Sequence, residues 1–174
     1  MPDPNPLMEN HFHDYKLFFD FIETYIHNGF TGIDTEDPLM LDLEQMMAEN
    51  DQFIYLADAI HMKILFVSKR SNEMMGIRPE DLSFYHFMEA THPDDIQRLN
   101  VGRSILLKQA QDIFIKGNGS ALLSTNFRIR NNAGKYTNCL MQNYLFYTEI
   151  PYKTVLFLKV HTNIDWCKKI KHGY

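Results

Sequence analysis

The sequence places one imidazole beside two carboxylates at His92-Pro93-Asp94-Asp95, and these residue types bind metal ions or perform acid–base catalysis. The same residues also suit the start of a helix. Thr91 or His92 can cap it, proline fits its first turn, and the helix dipole favours carboxylates there, each by about 0.3–1 kcal/mol. Because no third ligand is indicated, we predict a helix cap and no metal site.

Two isolated side chains are the remaining candidates for cofactor chemistry. His86 could serve as a proximal haem ligand, but a single histidine beside Phe84 and Phe87 is more often packed in a core. Cys139 and Cys167 are too few for a disulfide framework, and we expect both to be reduced. We therefore assign no cofactor and do not expect haem.

The sequence carries no recognisable catalytic signature. Gly117-Asn118-Gly119-Ser120 follows a predicted helix and precedes a strand, whereas a phosphate-binding loop precedes a helix. This segment is therefore predicted to end a helix. No arrangement of serine, histidine and acid is legible either, so we predict that the protein is not an enzyme.

Composition predicts a single folded domain with at most an appended segment. The chain has 174 residues, of which 45% are hydrophobic and 13% aromatic. Its net charge of -5 argues against a large nucleic-acid surface within the chain. No apolar run reaches the roughly 20 residues that span a bilayer, and the N-terminus does not look like a signal peptide. A cytoplasmic protein without membrane contact is the expectation.

The last third of the chain predicts three consecutive antiparallel strands. Alternation from Leu123 to Arg130 is typical of a half-buried strand, and Asn131-Asn132-Ala133-Gly134 suits a reversal. Further strands are predicted from Lys135 to Thr148 and from Thr154 to Thr162. The inward face of the middle strand stays open between two sets: Tyr136, Leu140 and Tyr144, or Cys139, Met141 and Leu145.

Helices are predicted at the N-terminus and in the middle of the chain. The helix from His11 to His27 has an apolar face too wide for a lone surface helix, so it must pack on the domain, on a second helix or on another copy. Its main stripe is Phe12, Tyr15, Phe19, Ile22 and Ile26, widened by Phe18, Phe21 and Tyr25. Asp37-Pro38 starts a second helix that ends near Asn50.

Short strands, Phe53 to Asp58 and Lys63 to Ser68, come before short helices at Ser71 to Met75 and Ser83 to Ala90. A long helix from Pro93 to Lys116 follows. Its predicted core residues are Ile96, Leu99, Ile105, Leu106, Ala110 and Ile113. This order predicts an α+β fold: a five-stranded antiparallel sheet with helices on one face, plus an N-terminal helical extension.

With these elements in this order, the chain from Asn50 to Trp166 resembles a PAS domain. The resemblance rests on Lys63 to Ser68 running into Asn72-Glu73-Met74-Met75-Gly76, on His92-Pro93-Asp94-Asp95 before the long helix, and on Phe127 to Arg130 followed by Asn132-Ala133-Gly134-Lys135-Tyr136. The chain also resembles the sensor part of bacterial PAS-containing regulators with a C-terminal helix-turn-helix of the LuxR type. That resemblance implies a DNA-binding output domain that is missing from these residues.

The resemblance implies a sheet curved around a pocket, roofed by the short helices and the long one. The expected lining residues are Phe66, Met75, Phe84, Phe87, Met88, Leu106, Phe127, Ile129, Cys139, Met141, Leu156 and Leu158. Their methionines and aromatic rings would supply adaptable apolar surface, or simply a plain core. Flavin-binding light sensors of this family carry a cysteine in an Asn-Cys-Arg motif, and Ser71-Asn72-Glu73-Met74-Met75-Gly76 has none, so covalent flavin chemistry is not expected.

These inferences divide the chain into an N-terminal extension (1–49), a PAS-like sensor (50–166) and the start of a linker (167–174). Family members often dimerise through an N-terminal helix, which makes Phe12, Tyr15, Phe19, Ile22 and Ile26 the dimer-interface candidates. The sequence therefore favours a homodimeric sensor that binds a small molecule non-covalently. A ligand-free dimerisation module is the alternative.

Overall fold

The computed structural model describes the backbone of residues 6–168 and the side chains of residues 16–167. Within this part of the chain, no helix is both long enough and apolar enough to cross a membrane. Phe12 and Tyr15 lie outside the described side chains, and most of the predicted linker, from residue 169 onward, lies outside the described backbone.

A five-stranded antiparallel sheet forms the centre of the fold. Its strand order is β2-β1-β5-β4-β3, so the last strand in sequence lies in the middle. The strands are β1 (Gln52–Asp58), β2 (Lys63–Val67), β3 (Ser120–Arg130), β4 (Tyr136–Thr148) and β5 (Thr154–Asn163). The central position of β5 exposes each of its faces to a different layer of helices.

The helices begin and end close to the predicted residues, except that the first helix begins at Pro6 and not at His11. They are α1 (Pro6–Tyr25), α2 (Pro38–Glu49), α3 (Ser71–Met75), α4 (Phe84–Ala90), α5 (Pro93–Lys116) and α6 (Asp165–Lys168), with 3-10 turns at Ile26–Asn28 and Pro79–Asp81. The Asp37 carboxylate accepts the Leu39 N–H at 2.9 Å and caps α2, as predicted. Gly117 ends α5 at a φ of 69°, a left-handed conformation that glycine adopts without steric cost.

The inner face of the sheet packs against α3, α4 and α5. Because side chains alternate along a strand, Phe53, Tyr55 and Ala57 of β1 all face this side. Cys139, Met141 and Leu145 of β4 do so too, which decides the face that the sequence left open. This layer is the α+β arrangement that the sequence predicted, a five-stranded antiparallel sheet with helices on one face.

The N-terminal extension packs on the opposite, outer face of the same sheet. Leu17, Phe21 and Tyr25 of α1 are buried there with α2. The strand residues beneath them are Ile54, Leu56, Leu156, Leu158 and Val160. Of the three packing partners that the wide apolar face of α1 allowed, the structure therefore shows the chain's own sheet and the neighbouring helix α2.

Two details of the predicted helical faces are wrong. Ile96 and Ile105 of α5 were expected in the core but are 38% and 48% exposed, because α5 is long and only one side of it contacts the sheet. In α1 and the 3-10 turn that follows it, Phe21 and Tyr25 of the predicted apolar face are buried together with Leu17, and Ile22 and Ile26 are partly buried, whereas Phe19 of the main stripe is 63% exposed. Hydrophobicity alone gave no preference among the many aromatic residues of α1.

Candidate ligand-binding site

A cavity of about 160 Å³ lies between the inner face of the sheet and helices α4 and α5. Its wall is largely aromatic and thioether, but it also contains a lysine and an arginine. The lining residues are Tyr55, Met62, Phe84, Phe87, Met88, Leu99, Arg103, Leu106, Leu107, Phe127, Met141, Phe157 and Lys159. An apolar cavity with a few polar groups is the usual form of a small-molecule site.

Three polar residues form one rung across the floor of the sheet. Lys159 of β5 pairs in register with Tyr55 of β1 on one side and with Asn143 of β4 on the other. Lys159 is 7% exposed, Tyr55 1% and Asn143 0%. The side-chain oxygen of Asn143 accepts no hydrogen bond from any described residue. Such a polar rung is unexpected in an otherwise apolar core, since buried polar groups normally have partners.

The Lys159 ammonium is buried without a carboxylate partner. It lies 4.7 Å from the ring centroid of Phe157 and 5.3 Å from that of Tyr55, within range of a cation–π contact. Among the described residues, no hydrogen bond or ion pair reaches it. Burial, assisted by the charge of Arg103, lowers the pKa of Lys159 to about 7. Near neutral pH the charged and neutral forms of this lysine are therefore similar in free energy.

Arg103 brings a second cation to the cavity from α5. One guanidinium nitrogen donates to the Asn100 side chain at 3.2 Å. Burial lowers the pKa of Arg103, and the nearby Tyr55 hydroxyl opposes that shift. No aspartate or glutamate lies among the lining residues, so both cations face an apolar space.

His161 lies on the same face of β5, two residues beyond Lys159. Its ring is fully buried and stacks on Phe53 at 4.5 Å between centroids, with Phe87 at 5.3 Å and Tyr55 at 5.6 Å. Neither ring nitrogen has a hydrogen-bond partner among the described residues. Burial, and secondarily the charge of Lys159, lowers the pKa of His161 well below its usual value, so the ring is neutral.

The segment His92-Pro93-Asp94-Asp95 starts α5, as predicted, and lies away from the cavity. The ring nitrogen Nδ1 of His92 accepts the Asp94 N–H at 3.2 Å, which identifies His92 as the helix cap. Asp95 instead accepts hydrogen bonds from the backbone and side chain of Arg128, at 2.8 and 3.0 Å. In the described part of the chain, no cluster of histidine, cysteine and acidic residues could hold a metal ion.

The structure brings about half of the predicted lining residues together. Phe84, Phe87, Met88, Leu106, Phe127 and Met141 line the cavity. Met75, Ile129 and Cys139 belong to the same core without lining it. Burial raises the pKa of the Cys139 thiol to about 12, so it is not a reactive thiolate. Contact between a ligand and these residues stays a prediction.

Three predicted lining residues are on the wrong face of the sheet. Phe66, Leu156 and Leu158 pack with the N-terminal helices on the outer side. Along β5, Phe157 and Lys159 face the cavity. Leu156 and Leu158 alternate with them and therefore point to the other face of the sheet. The sequence of β5 is apolar on both faces and therefore gave no alternation from which to read this.

The polar lining residues Tyr55, Arg103 and Lys159 were missed. A usable signal was present for Lys159, the lone charge within the apolar run Thr154 to Thr162. A charged residue inside a strand that is buried on both faces needs a reason. Arg103 gave no such signal, because α5 is amphipathic and most of its charges are solvated.

The cavity, as it stands, does not fit haem or flavin. Its volume of about 160 Å³ is below the roughly 300 Å³ at which pockets for drug-sized ligands begin. His86, the candidate haem ligand, uses Nδ1 to accept the Ser83 N–H at 3.1 Å in the capping box of α4. The residues present thus suit a smaller ligand.

A second concave surface lies on the outer face of the sheet, beside α1. This outer groove of about 810 Å³ lies between α1, the end of α2 and strands β3, β4 and β5. Phe19, Ile22, Leu122, Phe146 and Val160 are among its apolar lining residues. Phe19 and Leu122, from opposite sides of the groove, are 63% and 56% exposed.

Several solved structures are similar to this chain. An N-terminal PAS/PAC sensor domain of a Marinobacter aquaeolei diguanylate cyclase is 12% identical, with a TM-score of 0.47, over 67% of this chain and 98% of the other. A sensory box histidine kinase/response regulator from Burkholderia thailandensis is 12% identical, with a TM-score of 0.46, over 72% and 86%. The PAS-B domain of Drosophila melanogaster Cycle, with bound ethylene glycol, is 17% identical, with a TM-score of 0.42, over 64% and 99%.

The first two of these neighbours are named as sensory proteins. No protein-family model matches the chain, and no curated protein matches it.

Proposed function

We propose that this chain is a sensory domain of a signalling protein that binds a small molecule non-covalently in its inner cavity. The observation that carries the proposal is the cavity itself, in which the polar groups of Lys159 and Arg103 converge on an otherwise apolar space. A core evolved only for packing would gain stability by replacing a buried, unpaired lysine with an apolar residue.

The central strand β5 supplies a route from ligand to output. Phe157 and Lys159 face the cavity, whereas Leu156, Leu158 and Val160 contact the layer of α1 and α2. A ligand that prefers one packing of α5 on the sheet would shift the population of that packing by its differential affinity. Movement of β5 would then be felt by the N-terminal helices and by α6, which follows β5 directly.

The output is proposed to be transcriptional. The resemblance to LuxR-type regulators suggests a helix-turn-helix domain that is not among these 174 residues, through which DNA would be contacted. Binding rather than catalysis is proposed for the cavity, since the polar groups that line it are two cationic side chains and one phenol, with no carboxylate, imidazole or thiol among the lining residues to complete an acid–base or nucleophilic pair. The cytoplasmic location stays a prediction.

Methionine methyl groups offer a test that separates binding from transmission. Met88 and Met141 line the cavity, and Met40 and Met47 are buried in the outer layer. The methyl signals are recorded in a ¹³C-methyl spectrum of the full chain and assigned with Met→Leu variants. A cell-extract fraction that contains the ligand should shift the signals of Met88 and Met141. If binding is transmitted through β5, the signals of Met40 and Met47 should shift as well. Native mass spectrometry of the purified protein should show an added small mass.

An unaltered spectrum with every metabolite fraction, together with a bare mass, would contradict the sensor proposal. Shifts confined to Met88 and Met141 would show that the cavity binds a ligand without the proposed transmission through β5.

A dimerisation role is the second candidate, and the outer groove favours it. We propose that the groove's occupant is a second copy of the chain. Phe19 lines the groove and is 63% exposed, so in a dimer with a two-fold axis each copy could insert its Phe19 ring into the groove of the other copy.

A further inference from the structure

We propose that the inner cavity binds a small monocarboxylate, whose carboxylate pairs with Lys159 and Arg103 and whose apolar body is about the size of one aromatic ring. This inference rests on the proposed small-molecule binding and adds the chemical class of the ligand. It follows from three independent properties of the cavity: its charge, its wall and its size.

The charge of the cavity is positive and uncompensated. Both ionisable cations among the lining residues lack an acidic partner there. The Tyr55 hydroxyl forms no hydrogen bond with a described residue, so it is a third donor available beside them. Three converging donors without an acceptor match the two oxygens of a carboxylate, which accepts several hydrogen bonds and carries the missing charge.

The cation–π contacts of Lys159 do not replace such a partner. The rings of Phe157 and Tyr55 interact with the charge, at 4.7 and 5.3 Å, but they leave the directional N–H donors of the ammonium unpaired. Leaving buried donors unpaired is costly, so an incoming anion recovers free energy that an apolar ligand would not.

The rest of the cavity wall is apolar and deformable. Phe84, Phe87 and Met88 come from α4, Leu106 from α5, and Phe127 and Met141 from the sheet. Methionine side chains adapt to different ligand shapes, and aromatic rings stack on planar ligands. One end of the ligand is therefore expected to be charged and the other apolar.

The size of the cavity limits the apolar part. Its volume is about 160 Å³. An apolar protein cavity of about 150 Å³ is large enough to hold benzene. A benzoate- or phenylacetate-sized acid fits this space with modest side-chain movement, whereas a nucleotide or a long-chain fatty acid does not.

Isothermal titration of the full chain with sodium phenylacetate tests the proposal, with phenylacetamide as the neutral isostere and phenyl phosphate as a competing anion. Phenylacetate should bind, and phenylacetamide should bind about 10- to 100-fold more weakly because it lacks the charge. Lys159→Met should weaken phenylacetate binding by a similar factor. Lys108→Met, which removes an exposed lysine from α5, should leave it unchanged.

The fold of Lys159→Met is checked by thermal unfolding. This variant removes a buried charge and should be at least as stable as the parent, so lost binding cannot be attributed to unfolding. Arg103→Met provides the second variant and should also weaken phenylacetate binding.

The outcomes distinguish this inference from the proposed function. Equal binding of acid and amide, tighter binding of phenyl phosphate, or unchanged binding by Lys159→Met would overturn the monocarboxylate while leaving a small-molecule sensor. The monocarboxylate would also be overturned if benzoate, phenylacetate and hexanoate all failed to bind while another metabolite shifted the methyl signals of Met88 and Met141. The small-molecule sensor would remain. If no metabolite shifts those methyl groups, the sensor proposal fails with it.

Discussion

Among the described residues, His161 is a fully buried side chain of which neither ring nitrogen has a hydrogen-bond partner. A fully buried imidazole with two unpaired nitrogens costs free energy that its stacking on Phe53 and Phe87 only partly offsets. It lies beside the cavity, on the same strand as Lys159. A buried polar residue with such a cost in free energy is better explained by a role at the adjacent cavity than by packing alone.

Replacing His161 by phenylalanine should stabilise the protein by about 1–3 kcal/mol at neutral pH, because it keeps the ring stack and removes the unpaired nitrogens. The folded-state pKa of His161 is lowered, so below about pH 6.5 the unfolded chain binds a proton that the folded chain does not. The parent should therefore lose stability as the pH falls from about 6.5, and His161→Phe should lose less.

Urea unfolding at several pH values between 5 and 8 measures both effects. His27→Phe, at an exposed position, is the matched control and should change neither quantity. A destabilised His161→Phe variant would show that the imidazole forms a stabilising hydrogen bond in the folded protein.

The elements that enclose the cavity are held together by contacts outside it. The first turn of α5 is attached to β3 through Asp95, which accepts from the Arg128 N–H at 2.8 Å and from its side chain at 3.0 and 3.2 Å. The His92 N–H donates in turn to the Arg128 carbonyl at 2.9 Å. Because α5 carries Arg103 and Leu106, this attachment sets the distance between the roof of the cavity and its floor.

Substituting Asp95 by alanine should destabilise the protein by about 1–3 kcal/mol, since it removes charge-assisted hydrogen bonds and leaves the Arg128 N–H unpaired. Hydrogen bonds from the Arg128 side chain lower the pKa of Asp95 despite the opposing effect of burial. A carboxylate with a lowered pKa contributes stability above its unfolded value of about 3.9, and this contribution is lost as the pH falls below it.

Thermal or urea unfolding at pH 7 and pH 3 measures the effect, which should be smaller at pH 3. Asp94→Ala is the matched control, because Asp94 is the adjacent carboxylate, is 73% exposed and lies 3.4 Å from Arg128. Equal losses in the two variants would mean that helix capping, and not the attachment to β3, carries the stabilisation.

At the scale of the whole molecule, the sheet is a partition between two layers with different roles. The inner layer encloses the cavity, and the outer layer of α1 and α2 leaves part of the sheet open as the outer groove. The dimerisation proposal belongs to this scale, because it needs surfaces from α1, β3 and β4 together.

Changing Phe19 to aspartate should abolish a dimer formed through the outer groove, since it places a charge where the apolar ring would insert. Sedimentation velocity on the full chain at high concentration should show a dimer for the parent and a monomer for the variant. Ile115→Asp is the control, because Ile115 is 82% exposed on α5 and does not line the groove. A monomeric parent would contradict the proposal.

The sequence by itself determined the elements and their order. Caps and stops such as Asp37, His92 and Gly117 act through local geometry, so they could be predicted from neighbouring residues. The α+β fold with a five-stranded antiparallel sheet followed from the order of the elements. Part of the aromatic cavity wall was also predicted, namely Phe84, Phe87 and Phe127, whereas Tyr55 and Phe157, which lie on strands buried on both faces, were not.

Only the tertiary structure decided which face of β5 meets the cavity, where α1 packs, and that Lys159 and Arg103 meet in one space. These features depend on pairings between residues far apart in the chain. A strand that is buried on both faces carries no alternation to reveal its inner side, and a wide apolar helix can pack in several ways of similar free energy. Physical contact between distant elements, which no local pattern encodes, selects among them.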